Sequence, residues 1–387
     1  MKRFIIQFVV MAGMLVGLPL LGVWLAGNSP AEYLEFPPRP RPVEQAPFSW
    51  TVFSAYAVFI AAIVLPLLVR AVRSARREPA VATGATGFPW WGWAGVAAGL
   101  SMWVLAWTRF EWLARFQPHT FAPLWLCYIL VVNALSRRRT GGCLMTSRPF
   151  YFLALFPASA LFWWFFEYLN RFVHNWHYAG EYLGAWEYFW YATLPFATVL
   201  PAVLSTQELV RSLTWLQVGF RNFLKFRCRR PRLPAVVGLV VAAVGLIGIG
   251  VWPDTFFALL WIAPLLVILS LQTLFQEPNL LTEVAGGDWR TVMASAVAAL
   301  ICGWFWEMWN AGSLAHWTYS IPHVQRFMIF EMPALGYAGY LPFGLECAVI
   351  GEFIDWSCRT GRNGNRRLFV ERSKGAGLRP GLSPGGE

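Results

Sequence analysis

Charge is what this chain has least of. Asp, Glu, Lys and Arg make up 13% of its 387 residues against 57% apolar ones, about half the charged share of an ordinary soluble domain. A surface wetted on every side cannot be built from that balance, so a soluble globular protein is excluded. Cysteine is sparse as well. Cys127, Cys143, Cys228, Cys302, Cys347 and Cys358 include no Cys-x-x-Cys pair, which removes both a disulfide framework and a zinc site. The five histidines form neither a His-Glu-x-x-His motif nor the Glu-x-x-His spacing of di-iron bundles, and no metal site is expected. A phosphate-binding glycine loop, a nucleophile elbow and a paired-aspartate diphosphate motif are all missing. Phosphoryl, acyl and prenyl transfer are therefore disfavoured, and no cofactor is called for.

Apolar runs long enough to cross a bilayer recur along the whole length. In hydrocarbon the backbone must satisfy its own hydrogen bonds, so such runs are helices. They predict an all-α integral membrane protein with ten transmembrane helices, over 4–26, 48–69, 90–108, 120–136, 149–169, 188–207, 234–252, 255–275, 291–310 and 333–356. The first run follows Lys2 and Arg3 and is longer than a signal-peptide core, so it reads as an uncleaved anchor.

The basic residues give the orientation. Of the 31 Lys and Arg residues, only Arg39, Arg41, Arg109, Arg115, Arg171 and Arg326 fall on the side opposite the N-terminus. The positive-inside rule places both termini in the cytoplasm, as in a bacterial inner membrane protein. The net charge of +11 follows from that topology. Nucleic acid is not an expected partner, since the basic runs flank helices and belong to no binding module. Membrane lipids are, with the basic stretch 221–232 facing anionic headgroups.

The chain also repeats itself. Pro118-His-Thr-Phe121 returns as Pro253-Asp-Thr-Phe256, and Trp164-Phe-Phe-Glu167-Tyr-Leu-Asn170 as Trp304-Phe-Trp-Glu307-Met-Trp-Asn310. Asn175-Trp-His-Tyr178 returns as His316-Trp-Thr-Tyr319, and Leu194-Pro-Phe196 as Leu341-Pro-Phe343, always in the same order. The expected organisation is an N-terminal helix pair over 1–89, a four-helix unit over 90–233, a second over 234–356, and a disordered basic tail over 357–387. An even number of crossings gives the two units the same direction, hence parallel repeats.

The repeated motif carries the candidate site. Trp164, Glu167 and Asn170 are spaced to share one helix face, as are Trp304, Glu307 and Asn310. A carboxylate within a turn of the membrane boundary is costly unless paired or wet, and so marks function. The plainer possibility is that Glu and Asn only tie the following loop to the helix end. Glu346 falls near the middle of the last span, where the first unit has Val199, and insertion of an acid there costs about 2.5–3.5 kcal/mol. Catalytic roles are therefore assigned to Glu167, Glu307 and Glu346. Substrate contacts are assigned to Trp164, Asn170, Trp176, Tyr178, Trp304, Asn310, Trp317 and Tyr319. Glu208 and Asp355 read as charges at the membrane boundary.

Trp-Glu-x-x-Asn, then a loop with Trp-x-Tyr, then proline and a later acid, resembles the lycopene cyclase domain. This is the repeated membrane domain of bacterial heterodimeric and fungal carotenoid cyclases. The matching residues are Glu307, Trp317, Tyr319 and Pro342 to Glu346, echoed by Glu167, Trp176, Tyr178 and Pro195, in units of four helices where that domain has three. The resemblance implies acid-catalysed cyclisation or isomerisation of an isoprenoid, with Glu346 or Glu307 protonating an alkene and the faces of Trp304, Trp317 and Tyr319 stabilising the cation. Two other roles suit the same features: a transporter of a small or lipidic solute with its site between the repeats, and a non-catalytic membrane scaffold.

Overall fold

The computed structural model describes residues 2–38, 44–76, 87–179 and 183–375; Arg39, Arg41, Arg77 and the last residues of the tail lie outside that set. The chain is mostly helical. Helix α1 (Lys2–Ala12) passes through a π turn at Gly13–Gly17 into α2 (Leu18–Leu25), followed by α3 (Trp50–Ala75), α4 (Trp90–Trp107) and α5 (Phe121–Thr140). A short α6 (Leu144–Ser147) precedes α7 (Pro149–Val173), strand β1 (Trp176–Ala179), α8 (Ala185–Phe196), α9 (Val199–Arg211) and α10 (Thr214–Phe220). Then come α11 (Arg232–Val251), α12 (Pro253–Phe256), α13 (Ala263–Leu274), α14 (Leu280–Gly286) and α15 (Arg290–Gly312). Strands β2 (His316–Tyr319), β3 (Met328–Ile329) and β4 (Met332–Pro333) lead into α16 (Tyr340–Gly375).

Among the described residues, five helices are long and apolar enough to cross a membrane by themselves, α8 and α9 counting as one across Ala197 and Thr198, and a sixth if the bent pair around Ile262 is one span. This is a polytopic membrane protein. Two expected spans differ in detail. The run 255–275 is broken by 53° between Trp261 and Ala263, where Pro264 stands at the start of α13 and cannot donate the backbone hydrogen bond that would continue the helix inward. The run 333–356 begins only at Tyr340, because 333–339 closes a small hairpin and then forms a 3₁₀ turn. At the other end α16 runs on to Gly375, into the stretch expected as a disordered tail. Extending an existing helix costs far less than starting one, which favours that continuation.

The largest apolar cluster, beside two smaller ones around Phe220 and Val349, joins the two halves. Trp125, Phe166 and Phe343 are fully buried in it, and Phe343 lies parallel to Phe162 with ring centroids 5.8 Å apart. Helix α9 runs through the centre and carries polar links to its neighbours. Tyr128 OH meets Thr206 Oγ1 at 2.9 Å, Asn133 Nδ2 donates to Ser205 Oγ at 2.9 Å, and Gln207 Nε2 donates to Ser295 Oγ at 2.7 Å. Helix α2 crosses α11 at Gly22 and Gly250, where a Cβ on either would collide with the other's backbone.

Helix α3 is set apart. Its apolar window is nowhere buried, yet both ends are fastened. At one end Ser49 N donates to His323 O at 3.0 Å and Phe53 meets Phe327 at 5.5 Å. At the other, Arg70 Nε donates to Gly219 O at 3.0 Å. Between these clamps α3 stands away from α15 and α16. The arginine-rich end of α5 reaches the same end of the molecule, with Arg139 Nε donating to Ser212 O at 3.2 Å. There Glu208 accepts from Leu144 N at 2.7 Å and Asp355 pairs with Arg148. The strands β1 and β2 lie at the opposite end, beyond α7 and α15.

Candidate functional site

Helices α7 and α15 end alike. After Asn170 the chain leaves α7 through His174, a left-handed residue with φ 49°, and enters β1. After Asn310 it leaves α15 and enters β2. The two strands pair with each other, antiparallel, with Trp176 opposite Tyr319, His177 opposite Thr318 and Tyr178 opposite Trp317. The Trp of each motif thus faces the Tyr of the other.

Each asparagine ties its strand down. Asn170 Nδ2 donates to Trp176 O at 2.8 Å, and its Oδ1 accepts from Asn175 N at 2.8 Å and Trp176 N at 3.3 Å. Asn310 Nδ2 donates to Trp317 O at 2.7 Å and its Oδ1 accepts from Trp317 N at 2.8 Å. Their amide groups are committed to the backbone, which is the plainer role the sequence allowed.

Each glutamate sits inside a ring of neutral aromatic donors. Glu167 Oε1 accepts from Trp163 Nε1 at 3.0 Å, Trp176 Nε1 at 3.1 Å and Tyr178 OH at 2.6 Å. Glu307 Oε1 accepts from Tyr319 OH at 2.7 Å and Tyr340 OH at 2.6 Å, while Trp317 Nε1 donates to Tyr319 OH at 2.8 Å. Glu307 is fully buried, and its Oε2 has no partner. Burial, and then the Glu307 carboxylate, push the Tyr319 hydroxyl well above its ordinary range, so it remains a donor at any ordinary pH.

Besides the indole that reaches Glu167 directly in one and Tyr319 in the other, the two clusters differ in a further donor. Trp163 aligns with Gly303, and the space left there is filled by the ring of Tyr340, against which a Cβ at 303 would clash. Tyr340 replaces the missing indole as a donor to Glu307. Neither Trp163 nor Tyr340 stands out in the sequence; the signal is the unequal pair Trp163-Trp164 against Gly303-Trp304.

A cavity of about 1930 Å³ opens beside the ladder and runs along α3. Of the sequence-derived candidates, Glu167, Asn170, Trp176, Tyr178, Trp317 and Tyr319 line it, joined by Trp163, Trp306 and Tyr340. Glu307 and Asn310 stand behind that wall. Trp164 points to α8, donating to Thr193 Oγ1 at 3.0 Å and stacking on Phe189. Trp304 is half exposed and meets Phe330.

Glu346 is elsewhere. It is fully buried, and its Oε1 accepts from Leu265 N at 3.2 Å in the first turn of α13. No hydrogen bond joins it to Glu307 among the described residues. Helix α13 has no cap from its own Ile262, so Glu346 supplies one from α16, where the helix terminus favours a carboxylate. Among the described residues, no three His, Cys, Asp or Glu side chains are grouped to hold a metal ion. No family model, curated protein or solved structure matches this chain.

Proposed function

We propose that this is a membrane-embedded enzyme acting on a lipid or isoprenoid. The observation that carries the reading is continuity: one long apolar groove along α3 ends on a buried carboxylate, Glu167, ringed by Trp163, Trp176 and Tyr178. The groove takes the hydrocarbon, and the carboxyl handles a proton. In the alkene chemistry that the lycopene cyclase resemblance implies, the Glu167 O–H bond breaks and a C–H bond forms. The cation left on the neighbouring carbon lies against indole faces, and loss of a proton to the same carboxylate restores the acid. The result is net isomerisation, with no redox partner. Glu307 supports the ladder from behind.

The architecture belongs to the same proposal: ten spans, two parallel four-helix repeats after an N-terminal pair, the ladder outside and the termini in the cytoplasm. Pairing of the two equivalent segments, Trp against Tyr in both directions, is what a two-fold between parallel repeats produces. The test of activity is deuterium incorporation. The full-length protein in nanodiscs would be incubated in D₂O with long isoprenoid alkenes, and products read by mass spectrometry. Protein-dependent labelling that vanishes in Glu167→Gln is expected; labelling unchanged in that variant rejects the acid, and none with any alkene rejects the enzyme. The length of the groove, which reaches Trp215 and Trp289 at the far end, favours a second reading, transfer of a lipidic solute across the bilayer. Movement of a fluorescent lipid between liposome leaflets without chemical change would establish that one instead.

A further inference from the structure

The mouth of the groove has a charge pattern that the proton chemistry does not use. Among the described residues lining the cavity, Arg171 is the sole cation and Glu167 the sole acid. Glu167 already accepts from three donors. Arg171 extends Nη1 to the carbonyls of Tyr33 at 2.9 Å and Glu35 at 2.8 Å. Its Nε is buried without an acceptor, and no ion pair joins it to Glu167. The guanidinium is thus held in place by main chain, with Glu167 one helical turn away acting on it through space and not as an ion pair. Four of the five histidines, His119, His174, His177 and His316, line the same mouth. Asn175, 2% exposed, has an Oδ1 with no donor.

A fixed guanidinium amid imidazoles suits an anion with several acceptor oxygens, and the orphan Oδ1 suits an O–H. A phosphate monoester offers both in its monoanionic form. The walls specify the other end. From Tyr56 to Ala71 the groove follows α3 for about 23 Å at 1.5 Å per residue. One leaflet is only about half of a hydrocarbon core of about 30 Å, so the occupant's chain outreaches an ordinary leaflet.

We infer that the groove binds a long single-chain lipid phosphate, with its head group on Arg171 and the histidines and its hydrocarbon along α3. This rests on the lipid reading above and names the class within it. The test is binding without turnover. Tryptophan fluorescence of the full-length protein in nanodiscs, to which the several tryptophans lining the groove contribute, would be titrated with geranylgeranyl monophosphate, geranylgeraniol and inorganic phosphate. The phosphate ester should bind at least tenfold tighter than the alcohol, and inorganic phosphate should not compete. Arg171→Gln should erase that tenfold preference and Arg171→Lys should keep most of it. Ile63→Trp, which fills the groove far from the mouth and leaves the tether to Tyr33 and Glu35 intact, should weaken ester and alcohol alike. Equal binding of ester and alcohol overturns the head-group assignment while the lipid reading stands. Competition by inorganic phosphate shows a free-anion site and overturns it too. Binding of neither lipid removes both readings.

Discussion

At the scale of single residues, the hydrogen bonds separate groups that hold the site from groups that face it. Asn310 is fully buried with donor and acceptor both committed to the Trp317 backbone. Asn310→Ala should cost about 1–3 kcal/mol for each backbone group left unpaired, seen as a lower unfolding temperature in detergent, and Asn170→Ala should do the same. Glu346 makes a similar case. Its cap on Leu265 N survives in Glu346→Gln, whose amide oxygen still accepts, but is lost in Glu346→Leu, which should unfold at a clearly lower temperature than Gln. A catalytic acid would show the opposite order of damage, with Gln as inactive as Leu at full stability. The glutamates and the Trp-x-Tyr segments were legible in the sequence because a repeat shows the same residues twice. Tyr340 was not, since it compensates for a difference between the copies. Glu346 was legible as a buried acid, but not its partner: Leu265 N–H is freed by a helix break that hydropathy does not register.

At the scale of elements, the ladder between β1 and β2 is the joint that brings the two motifs together. His177 opposes Thr318, and opposed Cα atoms in an antiparallel pair stand about 4.5–5.5 Å apart, within disulfide range. A His177→Cys, Thr318→Cys protein should therefore crosslink on mild oxidation, shown by altered gel mobility that reduction reverses. No crosslink, or one formed equally well by 177 with 316, would reject the register. At the other end of α15, Arg290 donates to Asp288 and holds that carboxyl below its ordinary range. Such a group stabilises the fold above its unfolded pKa of about 3.9 and loses that contribution as pH falls through the folded value. Asp288→Asn should lower the unfolding temperature slightly at pH 7, with the difference from wild type shrinking progressively as pH falls below about 3.9, the effect being small because the pair is partly exposed. Long helices such as α3, α7 and α15 were plain in the sequence from their apolar length. The ladder was not, because four-residue strands carry too little periodicity, and only the tertiary approach of two helix ends pairs them.

At the scale of the whole molecule, the expected helical, membrane-embedded class follows from composition, and each expected span contains helix. The broken span around Ile262, the hairpin before α16 and the isolation of α3 depend on packing and could not be read from apolar runs. The groove exists because α3 is fastened at Ser49, Phe53 and Tyr56 and again at Arg70, with its apolar length unburied between them. Its side therefore opens to the surrounding bilayer along its length. On the lipid reading proposed above, an occupant would not have to leave the membrane, cross water or wait for a lid; it would arrive by diffusing in the plane. The bilayer then acts as a reservoir already saturated with hydrocarbon chains, so the walls compete against every lipid present and gain little by holding any one tightly. Selection must fall to the polar mouth, and occupancy should follow the ligand's mole fraction in the membrane, not its concentration in the bulk solution.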